Sequence, residues 1–150
     1  MFNFAVADWH TYFVGVWAWL VHNAKCILTA AKKISNRLKY LGRTPGKNSA
    51  TGKKVWERMV KEGNAKELSD GKKIFKDSKG KWHDFSKADM SHKRDAVDWW
   101  NNVARKKGYE PKGKEVREWM LKPENYRLDH YSINRSAGGK IKQTYKPPLK

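Results

Sequence analysis

The first 23 residues, MFNFAVADWHTYFVGVWAWLVHN, contain no Lys or Arg, whereas all 33 basic residues and all but one of the 15 acids follow Asn23. One uniform core does not account for such segregation. The chain reads as two unlike pieces, an uncharged aromatic start holding Trp9, Trp17 and Trp19 and a strongly basic body. The formal net charge of +18 says little about fold and much about partners. Nucleic acid, an anionic membrane surface or an acidic protein would neutralise it. A length of 150 residues has room for one ordinary domain plus an appendage, and 39% hydrophobic residues suffice for a real core.

The apolar run from Tyr12 to Val21 is ten residues, half of the ~20 that a spanning helix needs. No positive charge precedes it, and Asp8 and His10 stand in its place, which argues against a secretory signal. No membrane partner is therefore expected. The single cysteine, Cys26, forms no internal disulfide and belongs to no Cys cluster of the kind that binds zinc.

Residues 2–6 and the alternation around Tyr12, Val14 and Val16 read as two short strands. The blocks HTYFVG and LVHN resemble the last blocks of Hint domains, intein-like self-cleaving modules that precede toxin tips in bacterial polymorphic toxins. The resemblance implies that His22 and Asn23 are the remnant of an autocleavage pair. There the Asn amide attacks its own carbonyl with assistance from the His. Ala24 stands where splicing needs Cys, Ser or Thr, so such a module could cleave but not join. Domain limits follow: residues 1–23 as the Hint remnant, 24–50 as a helix and basic linker, and 51–150 as the cargo.

In the second piece, Leu28, Ala31, Ile34, Leu38 and Leu41 recur at helical spacing up to Gly42. GRTPGKNSATG reads as a flexible linker, and Thr51 as the cap of a helix with Val55, Met59 and Val60 inward, ended by Gly63. KKIFKDSKGKWHDF reads as a hairpin turning at Asp77–Gly80. Ser91 is expected to cap a helix containing Val97, Trp100 and Ala104 and closed by Gly108. A short helix KEVREWM, a strand, a turn or short helix and a basic end follow. This order predicts an α+β fold.

Two stretches concentrate chemistry. DFSKADMSHKRDAV carries Asp84, Asp89, His92 and Asp95, and PENYRLDHYSINRS carries Asn125, Asp129, His130, Asn134 and Arg135. A neutral His can take a proton from water, while Asp and Asn oxygens suit a hard divalent cation that neutralises charge on a phosphate. The segments ADMSHKRDAVDWWN and VREWMLKPENYRLDHYSINRSAGG resemble the GH-E group of polymorphic-toxin nucleases, in the HNH/endonuclease VII superfamily. The match extends loosely over residues 50–145.

That resemblance implies a ββα-metal, treble-clef-like core with added helices and a short amino-terminal β segment. It implies His92 as general base, Asp89 as metal ligand, Asn125 as the positioning Asn of the second strand, and Asn134 as ligand at the start of the last helix. Asp129 stands where a Glu is usual, His130 is a second-tier ligand, and Ser91 replaces a glycine. Arg135, Lys93, Arg94, Lys140 and Lys142 would contact nucleic acid, Arg135 either on the scissile phosphate or paired with Asp129. The cofactor would be a divalent ion, Mg²⁺ foremost, with Mn²⁺, Ni²⁺ or Zn²⁺ as alternatives.

The expected function is a toxin endonuclease cutting DNA, or alternatively RNA, in the cytoplasm of a target bacterium after delivery. It would act as a monomer held in check by an acidic immunity protein. A non-catalytic basic nucleic-acid-binding module, or an inactive orphan toxin, is the reading from another class.

Overall fold

In the computed structural model, which describes residues 34–149, Ser35 and Ser49 each open a helix by accepting a backbone N–H in the side-chain oxygen. The donors are Leu38 at 3.3 Å and Gly52 at 3.1 Å. The helices are α1, Asn36–Tyr40, and α2, Ala50–Lys61. The two amino-terminal strands, the His22–Asn23 pair and the first turns of the helix expected from Leu28 lie outside the described residues. Thr51 is not the cap of α2. It is buried in the first turn, two residues after the cap, and its hydroxyl donates to the Leu121 carbonyl at 3.1 Å.

Helix α2 buries a narrow stripe of Thr51, Val55 and Met59. Val60, expected inward, lies 42% exposed because the core meets only that stripe. Gly52 is required where it stands. A Cβ there would meet the carbonyl oxygen of Lys47 at 2.3 Å and that of Gly46 at 2.5 Å. The absent side chain lets the 46–47 loop lie flat on the helix, so the stretch read as a flexible linker is seated on the body.

Three antiparallel strands follow: β1, Ala65–Glu67; β2, Lys73–Lys76; and β3, Trp82–Asp84. The β2–β3 hairpin closes over Asp77–Gly80 as its turn residues predict, with Gly80 at φ +81°. Asp77 ties that turn by accepting from the backbone of Lys79 at 2.8 Å and Lys81 at 2.9 Å. Strand β1 was not expected, since three residues are too few to show an alternation.

A second sheet has two strands, β4, Ala88–His92, and β5, Tyr126–His130, antiparallel with His92 opposite Tyr126 and Asp89 opposite Asp129. Ser91 is therefore a strand residue and not a helix cap. The segment between the strands holds α3, Ala96–Trp99, a π-helical turn over Trp100–Ala104, and α4, Lys114–Leu121. Strand β5 runs directly into α5, Tyr131–Lys140.

The fold is thus α+β with small sheets, and its interior has two parts. Val55, Met59, Phe75, Met90, Tyr126 and Leu128 fill one between α2 and the strands. Tyr40, Leu41, Trp99, Trp100, Val116 and Met120 fill the other around α3 and α4. The carboxyl-terminal stretch, expected as a solvated basic end, is tied to the π turn. Asn101, itself buried, donates its amide to the Thr144 carbonyl at 3.0 Å and accepts from the Lys146 N–H at 2.9 Å. Trp100 adds Nε1–H to the Lys146 carbonyl at 2.8 Å. No helix among the described residues is long and apolar enough to cross a membrane.

Candidate functional site

Antiparallel pairing brings together residues about forty positions apart in sequence, β4 against β5, and α5 follows within one peptide bond. Arg58 of α2 anchors the start of β5, donating to the Pro123 carbonyl at 2.8 Å and to the Tyr126 carbonyl. Tyr126 in turn donates its hydroxyl to the Met120 carbonyl at 2.6 Å. The start of β5 is therefore tied to both α2 and α4.

Two clefts open beside these elements. The first, of about 430 Å³, is lined by His92, Asp95, Asn134, Arg37, Gln143 and Tyr145 among others. The second, of about 450 Å³, is lined by Asp89, Arg135, Tyr131, Lys47 and Ser86. Asn134, Met90 and Thr44 line both. Asn134 sits in the first turn of α5, with one cleft on either side.

His92 is packed and not surface-bound. Its ring lies parallel to Trp119, 5.5 Å between centroids and 12° between planes, and 4.5 Å from Tyr126. Nε2 is buried without a hydrogen-bond partner. Burial first, and the Arg37 guanidinium second, lower its pKa to about 4, so the imidazole is neutral at pH 7. Burial likewise raises Tyr145 on the wall of the same cleft, although Arg37 opposes it.

Asp89 is partly exposed and pairs with Arg135 of α5 at 3.4 Å; Arg135 does not pair with Asp129. The Arg135 guanidinium also lies 5.2 Å from the Tyr131 ring centre. Asp129 is buried, and its Oδ1 accepts from the backbone of Ser78 at 3.1 Å and of His130 at 2.9 Å. Asp129 is thus occupied with holding the hairpin turn to β5.

Asn125 lies in the 3-10 turn just before β5 and lines neither cleft. Its amide donates to the Trp119 carbonyl at 2.8 Å, and its carbonyl accepts from Lys93 at 2.9 Å, closing the far end of the strand pair. His130 is the N-cap of α5, bonded through Nδ1 to Ser132 at 2.7 Å. Its ring lies 4.5 Å from that of His83, which bonds Asp77 at 2.7 Å. Burial works to raise the Asp77 carboxyl, but the Lys81 N–H, His83 and the Lys79 N–H together hold it below the usual carboxylate range.

Among the basic candidates, Arg94 pairs with Asp98 at 2.7 Å, and Lys93 and Lys140 are exposed away from both clefts. Lys142 lines a separate groove with Asn101 and Asn102. Two cations missed in the sequence reading face the clefts instead. Arg37 lines the His92 cleft and bonds Thr44, and Lys47 lines the Asp89 cleft. Both stand in the stretch taken as helix and linker, where nothing local marks them.

Among the described residues no three His, Cys, Asp or Glu side chains converge as a metal centre of those ligands requires. Neutral His92, carboxylate Asp89, amide Asn134 and two guanidinium groups around adjoining clefts can accept a proton, donate hard oxygens and hold an anion. No protein-family model, curated protein or solved structure matches the chain.

Proposed function

We propose that the chain is a metal-dependent endonuclease, the toxic cargo of a polymorphic-toxin system, with β4, β5 and α5 forming a ββα-metal core. One observation carries this reading: Asn134, on the helix that follows β5, lines both the cleft of His92 and the cleft of Asp89. That is the set of residues to which the GH-E resemblance assigns base and ligands.

Asp89 and the Asn134 amide oxygen would hold a divalent ion, with solvent and phosphate oxygens completing the shell that Mg²⁺ prefers. The bound ion supplies neutralisation of the charge on the phosphate. His92, neutral at working pH, accepts the proton of the attacking water; with Nε2 buried, Nδ1 is the nitrogen left to do so. Arg37 holds a phosphate oxygen in the His92 cleft, a role for which its forked guanidinium is suited. Asp89 would have to leave Arg135 to hold the ion, which would cost little because an exposed ion pair contributes only ~0–1 kcal/mol.

DNA is the proposed substrate and the bacterial cytoplasm the proposed place of action. A net charge of +18 fits an acidic immunity partner as well as nucleic acid. Digestion of plasmid DNA and total RNA, each with Mg²⁺ and with EDTA, tests the reading. DNA cleavage that needs the metal and is lost in His92→Ala supports it. RNA cleavage that survives EDTA makes the protein a metal-independent ribonuclease, and no cleavage with any divalent metal favours a binding module.

A further inference from the structure

A third cleft, of about 480 Å³, lies beside the second and has no part in the function proposed above. Lys47 lines both the second and the third and so stands at the border between them. The floor of the third cleft is aromatic. Trp56 of α2 and Phe85 of the turn before β4 meet edge to face, 5.1 Å between centroids and 82° between planes. Both are partly exposed. Lys73 lies 5.5 Å from the Trp56 ring centre and Lys47 5.2 Å from that of Phe85, while Lys53 lines the same wall. Three ammonium groups stand beside the exposed Glu57, and Lys73 also pairs with the exposed Glu67 of β1 at 3.8 Å.

Lys47 is built into this arrangement. Its ammonium donates to the carbonyls of Phe85 at 2.8 Å and Ser86 at 2.5 Å. An ammonium has three N–H groups, so one is left for a ligand. The backbone behind it is fixed by its close approach to Gly52. A cation held at the junction of two clefts by two main-chain carbonyls is suited to a phosphate lying across that junction.

We propose that the Trp56–Phe85 cleft is a second substrate subsite, taking one unpaired nucleobase on its aromatic floor and the adjoining phosphates on Lys47, Lys53 and Lys73. The proposal rests on the nuclease reading and names the form of substrate: a single strand, or a frayed end, running from this cleft past Lys47 to Asp89 and Asn134. A paired base keeps its faces stacked within the helix, whereas an unpaired base offers a face to Trp56. A stacked base outweighs an exposed lysine–ring contact, and the exposed pair with Glu67 contributes only ~0–1 kcal/mol, so Lys73 can leave both for a phosphate.

The test is binding of a fluorescent single-stranded oligonucleotide and of a duplex of equal length, in EDTA, using the full chain carrying Asn134→Ala to prevent cutting. On that background, Trp56→Leu is expected to weaken single-strand binding about tenfold and duplex binding far less. Because Trp56 also packs on the core, Lys53→Glu with Lys73→Glu tests the same cleft from two exposed positions, with a similar loss expected. Equal losses on single strand and duplex in Trp56→Leu would overturn the base-binding role. Unchanged single-strand binding in both variants, with wild type still cutting DNA, would remove the subsite and leave the nuclease standing. Loss of single-strand binding in the variants, beside a wild-type protein that cuts nothing, would uphold the subsite and discard the nuclease.

Discussion

Asp89 of β4 lies directly opposite Asp129 of β5, two carboxylates facing each other across one antiparallel pair. Like charges in that position oppose folding by up to ~1 kcal/mol, unless other groups neutralise them. Asp129 is answered by the N–H groups of Ser78 and His130, and Asp89 only by Arg135, itself 72% exposed. The fold tolerates a carboxylate that does not stabilise it, as residues kept for function often do. Asp89→Asn is therefore expected to raise the unfolding free energy by a few tenths to ~1 kcal/mol while abolishing cleavage. Thermal unfolding beside a DNA digest measures both, and a destabilised variant would show that Asp89 serves the fold.

The buried His92 makes stability depend on pH in a defined window. Its pKa falls from 6.5 to about 4 on folding, so the folded state prefers the neutral ring. The stabilisation is complete above pH 6.5 and is lost as pH falls toward 4. A shift of this size corresponds to roughly 3 kcal/mol. Denaturant unfolding between pH 7 and pH 4 should show that loss, and His92→Phe, which cannot titrate, should reduce it sharply. An identical pH dependence in the variant would place the titrating group elsewhere.

The tail is held by one side chain more than by any other. Asn101 offers donor and acceptor to successive groups of an extended segment, from inside a π turn that sets it facing the tail. Asn101→Ala removes both bonds and should cost ~1–3 kcal/mol. Ile141, Gln143 and Tyr145 wall the His92 cleft, so release of the tail should open that cleft and speed proteolysis after Lys140. Limited proteolysis of the variant checks this, and an unchanged digestion pattern would mean that Trp100 and Arg105, whose Nε–H donates to the Pro147 carbonyl at 2.6 Å, suffice.

What the sequence shows and hides follows the range of each interaction. The Asp77–Gly80 turn and the helix stops at Gly42, Gly63 and Gly108 are legible because their causes lie within a few residues, each glycine standing at positive φ. Ser91 reads as a helix cap because Asp95 and the apolar spacing lie just after it. The strand it belongs to is dictated by β5, some forty residues away. Asn134 and His92 are visible as chemistry-bearing residues, but their placement on a strand and the following helix comes only from the family resemblance, since the local reading of Ser91 as a cap puts His92 in a helix. Arg37 and Lys47 are not, since a cation in a basic stretch gains meaning only from Tyr145, Phe85 and Ser86, which the fold brings to it. Asn101 and the tail are hidden for the same reason.

In the function proposed above, the two clefts that Asn134 lines make one catalytic site. Single-turnover cleavage of a DNA substrate by Asn134→Ala, with its thermal midpoint recorded alongside, tests it most directly. Asn134 is a partly exposed residue in the first turn of α5, so the midpoint should stay within a few degrees of wild type, for a cost below ~1 kcal/mol. The account predicts that cleavage falls at least a hundredfold, the scale on which loss of a group that positions the reacting centre is felt, about 3 kcal/mol. A folded Asn134→Ala protein that cuts as fast as wild type would contradict it.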